Sequence, residues 1–462
     1  MDIFIDPDSS TGLADQIYEE VRSGILDGRL GPGDRVPSSR ELADVLGVSR
    51  HTVTRAFNRL TGEGFLVGRR GGGTVVSDLF TADSNPGPSH PVLQPARPQP
   101  TPPTYDLRPS LPDRDLFPLR EWKRYARLAV DLHSGWYEDP AGLPELRLVL
   151  ARWIGRSRGV DASFRQIVVT SGAQQAFFLI AKACLEPGSR VAMEDPGYIW
   201  FRSAMEAAGV EVVSVPVDDE GIVVADIPRD VAAVYVTPSH QFPTGVVMSM
   251  ARRLDLLALA RESDMLVLED DYDSEFRYVD RPLEPIHRLD NGDSVAYIAT
   301  MSKVLSPSLR LGYVVVPPEY LIRLVEFRQR MDLGPRGLDQ QTLRHYIADG
   351  HLSRHIRKAH RIYQRRHDKV ARHFSRLTEI GLVDNPRANA GLHASAPLSP
   401  GLDERQILAD LAARGFAIDG YSDYQHDPDG PAGLLVGFGS IDEQRLDEAL
   451  LIIEETLISA ST

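Results

Sequence analysis

Residues 299–313 read ATMSKVLSPSLRLGY and contain Lys303, one of five lysines in a chain of 462 residues with 51 Lys and Arg in all. Arginine supplies almost all the positive charge and serves most surface roles as well as lysine does. It cannot act as an amine nucleophile, because its guanidinium stays protonated. A lysine just after the apolar run VAYIA is therefore a candidate for amine chemistry. The neighbouring runs decide the fold. QIVVTSG, RVAMED, VEVVSVPV, AAVYVTPS, MLVLEDD and VAYIAT are short β-branched stretches, and helical stretches such as AQQAFFLIAKACLE and ARRLDLLALARES separate several of them. That alternation predicts an α/β unit with a mostly parallel sheet covered by helices. Such sheets bind ligands beyond the carboxyl ends of their strands, which is where Lys303 falls.

A lysine amine forms a Schiff base with an aldehyde such as that of pyridoxal phosphate. That chemistry also needs a carboxylate for the pyridine nitrogen, a phosphate cradle and an aromatic plate. LVLEDDYDSEF ends an apolar strand in carboxylates, a costly place for charge without a partner. Asp270 is the candidate for the ring nitrogen, and Tyr272 for the ring hydroxyl. TSGAQQAFF reads as a strand-to-helix turn, so the N–H groups of Gly172, Ala173 and Gln174 would take phosphate at a helix amino end. Thr300, Ser302 and Arg310 supply further phosphate contacts, and Tyr198 in MEDPGYIWF is placed to stack on the ring.

Ahead of this unit stands a smaller one. Residues 78–105 are rich in Pro, Ser and Thr and read as a semi-rigid tether. They divide the chain into 1–77, the linker 78–105, and 106–462. In the first part Leu13, Ile17, Val21 and Ile25 recur every four residues, as a buried helix face requires. Ser39 is read as the cap of a second helix that ends at Gly47, and Ser49 opens a third with Val53, Ala56, Phe57 and Leu60 inward. FLVGRR and GTVVS then form a hairpin. The order is that of a winged helix-turn-helix, whose reading helix lies in the DNA major groove. Ser49, Arg50, Thr52 and Thr54 project from its amino end, and Arg69, Arg70 and the glycines from Gly71 make a thin basic wing. Seven arginines stand against four acidic residues over 34–75, a local positive face in a chain of net charge −14.

Composition narrows the rest. Hydrophobic content of 42% and charged content of 25% are those of a globular protein without a membrane span. The single cysteine, Cys184, excludes an internal disulfide framework, fits a reducing cytoplasm and reads as a buried helix residue. His351 and His355 have metal-binding spacing on a helix, but the arginines of GHLSRHIRKAHRIYQRRHDK make a solvated basic face the better reading, and no metal is expected.

Residues 12–77 closely resemble the GntR-type family of bacterial regulators, carried by GPGDRVPSSRELADVLGVSRHTVTRAFNRLTGEGFLVGRRGGGTVV. That resemblance implies DNA contacts from Arg40 and Thr54, with Gly71 approaching in the wing. Residues 105–455 resemble fold type I aminotransferases through WYEDPAGLPELRLVLARWI, TSGAQQA, EDPGY, HQFPTG, EDDYDSEF and TMSKVLSPSLRLGY. This implies a pyridoxal 5′-phosphate-dependent transferase fold with a smaller C-terminal α+β part. It assigns Lys303 to the internal aldimine, Asp270 to the pyridine nitrogen and Arg310 to the phosphate. It also implies a homodimer in which Tyr137 reaches the neighbouring subunit's phosphate. The fusion of the two resembles the MocR-type subfamily, implying a head-to-tail dimer that binds operator DNA.

Two departures bear on function. Phe242 in HQFPTG replaces the usual asparagine of aminotransferases, and Leu435 in GLLVGFG replaces the arginine that clamps a substrate carboxylate. Trp200 makes that side of the pocket apolar. The expectation is a transcriptional regulator rather than an enzyme, sensing pyridoxal phosphate itself, and so vitamin B6 status, or an amine without the usual acid group. The alternatives are a working aminotransferase with an accessory DNA-binding module, and a DNA-binding scaffold with a dead pocket.

Overall fold

A computed structural model of the chain describes residues 3–6, 9, 11–69, 73–80, 102–132, 135–279, 283–428 and 430–461. It divides into two compact units, Met1–Pro102 and Pro103–Thr462. Arg70, Gly71 and most of the Pro-rich stretch lie outside the described residues.

The first unit contains α1 (Leu13–Leu26), α2 (Ser39–Leu46), α3 (Arg50–Gly62) and the antiparallel pair β1 (Leu66–Arg69) and β2 (Gly73–Val76). Ile17, Val21, Val53 and Leu60 meet in its core together with Leu66 and Val76 from the hairpin. The cap of α2 is Ser38 rather than the expected Ser39. Glu41 N donates to Ser38 Oγ at 3.2 Å while Ser38 N donates to Glu41 Oε2 at 2.8 Å. This reciprocal box satisfies two backbone donors, which Ser39, already inside the helix, cannot do. Ser49 caps α3 as expected, accepting from Thr52 N at 3.1 Å.

The second unit runs β3 (Tyr105–Asp106), α4 (Leu119–Asp131), α5 (Pro144–Arg158), β4 (Ile167–Thr170), α6 (Ala173–Ala183), β5 (Arg190–Asp195), α7 (Ile199–Ala207), β6 (Glu211–Asp218), β7 (Gly221–Ile222), β8 (Ala233–Val236), α8 (Met250–Ser263), β9 (Leu266–Asp270), α9 (Ile286–Asp290), β10 (Val295–Thr300) and β11 (Gly312–Val315). Eight of these strands form one sheet in the order β4-β11-β10-β9-β8-β5-β6-β7. Strands β10, β9, β8, β5 and β6 are mutually parallel, whereas β11 is antiparallel to both β10 and β4. Every residue of β4, β8, β9, β10 and β11 is buried, so both faces of the sheet are covered. The sheet is therefore mostly parallel, and the carboxyl ends of β4, β5, β8, β9 and β10 share one edge.

The remaining elements are α10 (Pro318–Asp332), α11 (Gly337–Ala348), α12 (His351–Glu379), β12 (His393–Pro397), α13 (Glu404–Ala413), β13 (Phe416–Ala417), β14 (Asp419–Gly420), β15 (Gly433–Gly437) and α14 (Glu443–Ala460). Strands β12, β15 and β14 make the small antiparallel sheet of a C-terminal α+β part. Tyr105, placed by its sequence at the end of the linker, already pairs with Phe416 in β13.

Two local expectations are corrected. Residues 351–369 form a solvated basic face on one side only: Arg354, Arg357, Lys358, Arg361 and Arg365 are exposed, whereas α12 buries His355, Tyr363, Arg366 and His367 along the other. Arg366 is buried because Gly439 O and Asp113 Oδ2 accept from its guanidinium at 2.7 and 2.6 Å. These partners come from distant segments, so a basic residue stands in a stripe where the sequence shows only charge. Cys184 is the C-cap of α6 rather than a residue within the helix; it is half-buried against the core, and burial pushes its thiol up to about 12.

Candidate functional site

Five strand ends deliver side chains into one cavity of about 280 Å³. It is lined by Lys303, Asp270, Tyr272, Tyr198, Ala173, Gln174, Thr300, Ser302 and Arg310 among others, so the structure brings together nearly all the residues proposed for the coenzyme. Gly172 adjoins Arg310 at the same edge. Tyr137 does not line this cavity and is 75% exposed.

Lys303 follows β10 by three residues. Thr300 Oγ1 donates to Ser302 Oγ at 2.9 Å and accepts from Ser302 N at 3.2 Å, which fixes the turn presenting the lysine. Desolvation lowers the Lys303 amine from the ordinary lysine value, and the charges of Asp273 and Asp270 oppose that shift. Lowering an amine pKa enlarges the fraction of neutral nucleophile at neutral pH.

Asp270 closes β9 and is 4% exposed. Tyr235 OH, on the adjacent β8, donates to Asp270 Oδ2 at 2.8 Å, and Oδ1 has no partner within the chain. Burial pushes the carboxyl up to about 7, against the lowering effect of the Tyr235 bond. An orphaned, buried carboxylate oxygen facing a cavity fits a protonated ring nitrogen, which would supply both the missing bond and the missing charge.

The candidate phosphate end is built from a turn only glycine can make. Gly172 has φ +85°, and a Cβ there would lie 3.3 Å from Arg310 Nη2. A Cβ on Gly312 would lie 2.9 Å from Ala299 O and 3.0 Å from Gly172 Cα, so two chain segments meet without side chains between them. The first N–H groups of α6 lack intrahelical partners and stand at the same edge as Arg310, a set of donors of the kind that suits an anion. Arg310 is exposed and donates through Nη2 to Ser171 O at 2.9 Å. Gln174 Nε2 is a further buried donor without a partner.

Aromatic rings enclose the rest. Phe242 meets Tyr198, Tyr272 and Tyr424 at interplanar angles of 86°, 86° and 89°. Trp200 stands at the mouth, 57% exposed. Leu435 is fully buried in β15 opposite Ser395 and Asp419 and does not reach the cavity. Arg310 is the one arginine among the described residues lining it.

Several contributing residues were not apparent from the sequence: Tyr235, Thr237, Ser110, Tyr424 and, one layer back, Glu194 and His240. Glu194 accepts from Thr237 Oγ1 at 2.6 Å and Thr237 N at 3.1 Å, tying β5 to the end of β8. Tyr235 alone carried a signal, a hydroxyl within the apolar strand AAVYV. His240, Asp273 and His393 are the described His, Cys or acidic residues whose ligand atoms gather within 4.8 Å of one another.

A buried ion pair anchors the loops behind the site. Arg158 Nε and Nη2 donate to Asp271 Oδ2 and Oδ1 at 2.7 and 3.1 Å, Nη2 also donates to Ser239 Oγ at 3.0 Å, and Tyr297 OH donates to Asp271 Oδ2 at 2.5 Å. Asp271→Ala leaves the Arg158 charge buried and unpaired and is expected to destabilise the protein by about 3–5 kcal/mol. Urea unfolding followed by far-UV circular dichroism measures this, and a loss below about 1 kcal/mol contradicts it.

On the first unit, Arg40, Ser49, Arg50 and Arg69 are exposed, while Thr52 and Thr54 are partly so. Ser49 is engaged as a cap, and Thr54 Oγ1 donates to Arg50 O at 2.8 Å. Among the described residues proposed to meet DNA, Arg40, Arg50 and Arg69 are thus the exposed guanidinium groups. Arg69 is held at the wing base by an exposed pair with Asp78 at 3.4 Å.

A three-helix unit with a β-hairpin, and a doubly covered sheet with a lysine and an orphaned aspartate at its strand ends, define a winged-helix protein carrying an aminotransferase-like coenzyme domain. Residues 13–76 match the family model of bacterial regulatory proteins of the gntR family, and residues 113–390 match aminotransferase class I and II. The chain is 32% identical to the HTH-type pyridoxine biosynthesis transcriptional regulator PdxR of Corynebacterium glutamicum, over 98% of each chain. It is 31% identical to the probable rhizopine catabolism regulatory protein MocR of Rhizobium meliloti, over 97% of this chain and 94% of that one. The second unit resembles Pyrococcus horikoshii kynurenine aminotransferase in complex with PMP, with TM-score 0.69 and 28% identity over 77% of this chain and 90% of that one. The chain belongs to the MocR-type subfamily of GntR transcriptional regulators, and its cofactor is pyridoxal 5′-phosphate. No helix among the described residues is long and apolar enough to cross a membrane.

Proposed function

We propose that this regulator reads the state of its coenzyme pocket and transmits it to two winged helices on operator DNA. The observation carrying the proposal is a pocket that keeps Lys303 and Asp270 but, among the described residues lining it, offers no arginine beyond Arg310, which the phosphate requires. An amino-acid substrate would find no bidentate partner for its carboxylate. The ligand is therefore the coenzyme itself, with control of vitamin B6 metabolism as the outcome, or an amine lacking that carboxylate.

When bound, pyridoxal 5′-phosphate supplies an aldehyde carbon that condenses with amines and a ring that takes up electrons. The chain's own residues prepare the pocket for it. Lys303 presents a partly desolvated amine, Asp270 would hold a proton at the ring nitrogen, and Tyr272 would face the ring oxygen. Tyr198 would stack on the ring, while Gly172, Ala173, Gln174, Thr300, Ser302 and Arg310 would hold the phosphate. Tyr137 completes the neighbouring subunit's pocket in a head-to-tail homodimer, which links pocket occupancy to the spacing of the DNA-reading units. In those units Arg40, Ser49, Arg50, Thr52, Thr54, Arg69, Arg70 and Gly71 meet the DNA.

Fluorescence anisotropy on the promoter beside the protein's own gene, at fixed salt, tests this. Loading with coenzyme is expected to change DNA affinity by about 5- to 150-fold, the usual range of allosteric coupling. The second reading, a working aminotransferase, is favoured by the structural likeness to kynurenine aminotransferase. It predicts sustained turnover of an amino donor with a keto acid and no change in DNA affinity.

A further inference from the structure

Behind Tyr272 lies a buried pair with no counterpart in the coenzyme-binding set. His240 and Asp273 are each 1% exposed, and His240 Nδ1 lies 3.2 Å from Asp273 Oδ2 and 3.0 Å from Tyr272 OH. His240 Nε2 is buried without a partner. We propose that His240, held by Asp273, is a positioning residue that turns the Tyr272 hydroxyl proton into the pocket, making Tyr272 a donor to the ring oxygen of the coenzyme. The inference rests on the reading above that Tyr272 faces that oxygen.

The reasoning is one of proton inventory. A carboxylate only accepts hydrogen bonds, so the contact with Asp273 places the His240 proton on Nδ1. That same N–H faces Tyr272, whose oxygen must then accept. Because Tyr272 cannot donate back to a nitrogen that already carries a proton, its own hydrogen is left for the cavity it lines. Burial and the charge of Asp273 raise the phenol well above its ordinary value, so it keeps that proton.

The surroundings hold the pair rigidly. Gln241 Nε2 donates to Pro196 O at 2.9 Å and to Phe242 O at 2.7 Å, and Thr244 Oγ1 donates to Gln241 Oε1 at 2.6 Å, which fixes the bend carrying His240. Gly391 closes over the top: a Cβ there would lie 2.2 Å from Asp273 Oδ2 and 2.5 Å from His240 Nδ1. Tyr272 and Asp273 face His240 from the segment after β9. From β12 it is faced by His393, whose ring centroid is 4.8 Å away. The charges of Asp270, Asp271 and Glu194 act on Tyr272, Lys303 acts on His393, and Arg387 packs with His240 Nε2 around Gly245.

The test is the pH midpoint of the near-visible absorption band of the coenzyme-loaded full-length protein. A donor to the ring oxygen stabilises the deprotonated chromophore, so losing it raises the midpoint. Tyr272→Phe and His240→Gln are each expected to raise it by about one unit, since a hydrogen bond to a charged group contributes about 1.5–3 kcal/mol. His240→Asn, which keeps an N–H near the Nδ1 position, is expected to restore it to within about 0.3 unit. Adding His240→Gln to Tyr272→Phe is expected to produce no further shift, because the histidine acts only through the tyrosine. A His240→Gln midpoint equal to wild type overturns the proposal. So does an additive shift in the double variant, or a failure of His240→Asn to restore the midpoint while its melting temperature matches wild type. Absence of any near-visible band in loaded wild type overturns the coenzyme reading itself, and this proposal with it.

Discussion

Lys303→Ala is expected to abolish the near-visible band that appears when wild-type protein is loaded with pyridoxal 5′-phosphate. Its affinity for the coenzyme should fall by about 100-fold or more, roughly 2.7 kcal/mol. The variant should keep residual binding, because the glycine turn at Gly172, the first N–H groups of α6, Arg310 and Asp270 are all positioned without the lysine. Its fold should also survive. Lys303 is no part of the core clusters, and removing an amine already disfavoured by desolvation relieves a cost rather than creating one. Equilibrium dialysis with parallel absorbance spectra measures both quantities, and anisotropy on the promoter then assigns the consequence. If the variant reads DNA identically with and without coenzyme while wild type does not, the bond at Lys303 is the signal. An unchanged band in Lys303→Ala would exclude this lysine as the attachment point.

The second large effect falls on Asp270. Replacing it with asparagine preserves the shape and an acceptor for Tyr235 but removes the charge that meets the ring nitrogen. Truncating one member of a desolvated, hydrogen-bonded charge pair costs about 2–5 kcal/mol, so coenzyme affinity should fall by about 30- to several thousand-fold. The same substitution has an opposite signature in the free protein. A carboxyl raised from 3.8 to about 7 holds an extra proton in the folded state between those values. The folded state then binds more protons than the unfolded chain, and its stability falls as pH rises through that window. Asp270→Asn removes this penalty. Its stability relative to wild type should therefore rise by about 2–3 kcal/mol between pH 5 and pH 8, read from paired urea titrations without coenzyme. A difference independent of pH would mean that Asp270 is ionised in the free protein and already compensated.

These two residues also mark where sequence reasoning succeeds. Lys303 and Asp270 stand at the ends of continuous apolar runs, β10 and β9, and a charge in that position is conspicuous without any coordinates. The alternation of strands and helices gave the sheet for the same reason: burial on both faces forces a continuous apolar run, and such runs are short, countable and separated by helices. The winged helix was legible through caps and glycines, because local hydrogen bonds act over three or four residues. Ser38 was missed in favour of its neighbour Ser39, since only the reciprocal bond to Glu41 distinguishes them.

Tertiary structure alone decided which polar side chains are buried and with what. Arg366 and His355 belong to a stretch that reads as solvated charge, yet α12 turns them inward, where Asp113 and Gly439 accept from the guanidinium. The Arg158–Asp271 pair spans 113 residues and His240–Asp273 spans 33, and no periodicity joins such positions. The walls of the pocket likewise draw on Ser110, on Tyr235 and Phe242, and on Tyr424, three segments far apart in the chain. By itself the sequence determined the strand ends, the lysine and the acid, because apolar runs and the charges that interrupt them are local properties. The direction of each hydroxyl proton and the partner of each buried charge depend on side chains brought together only when the sheet closes, and there the chemistry of the site is set.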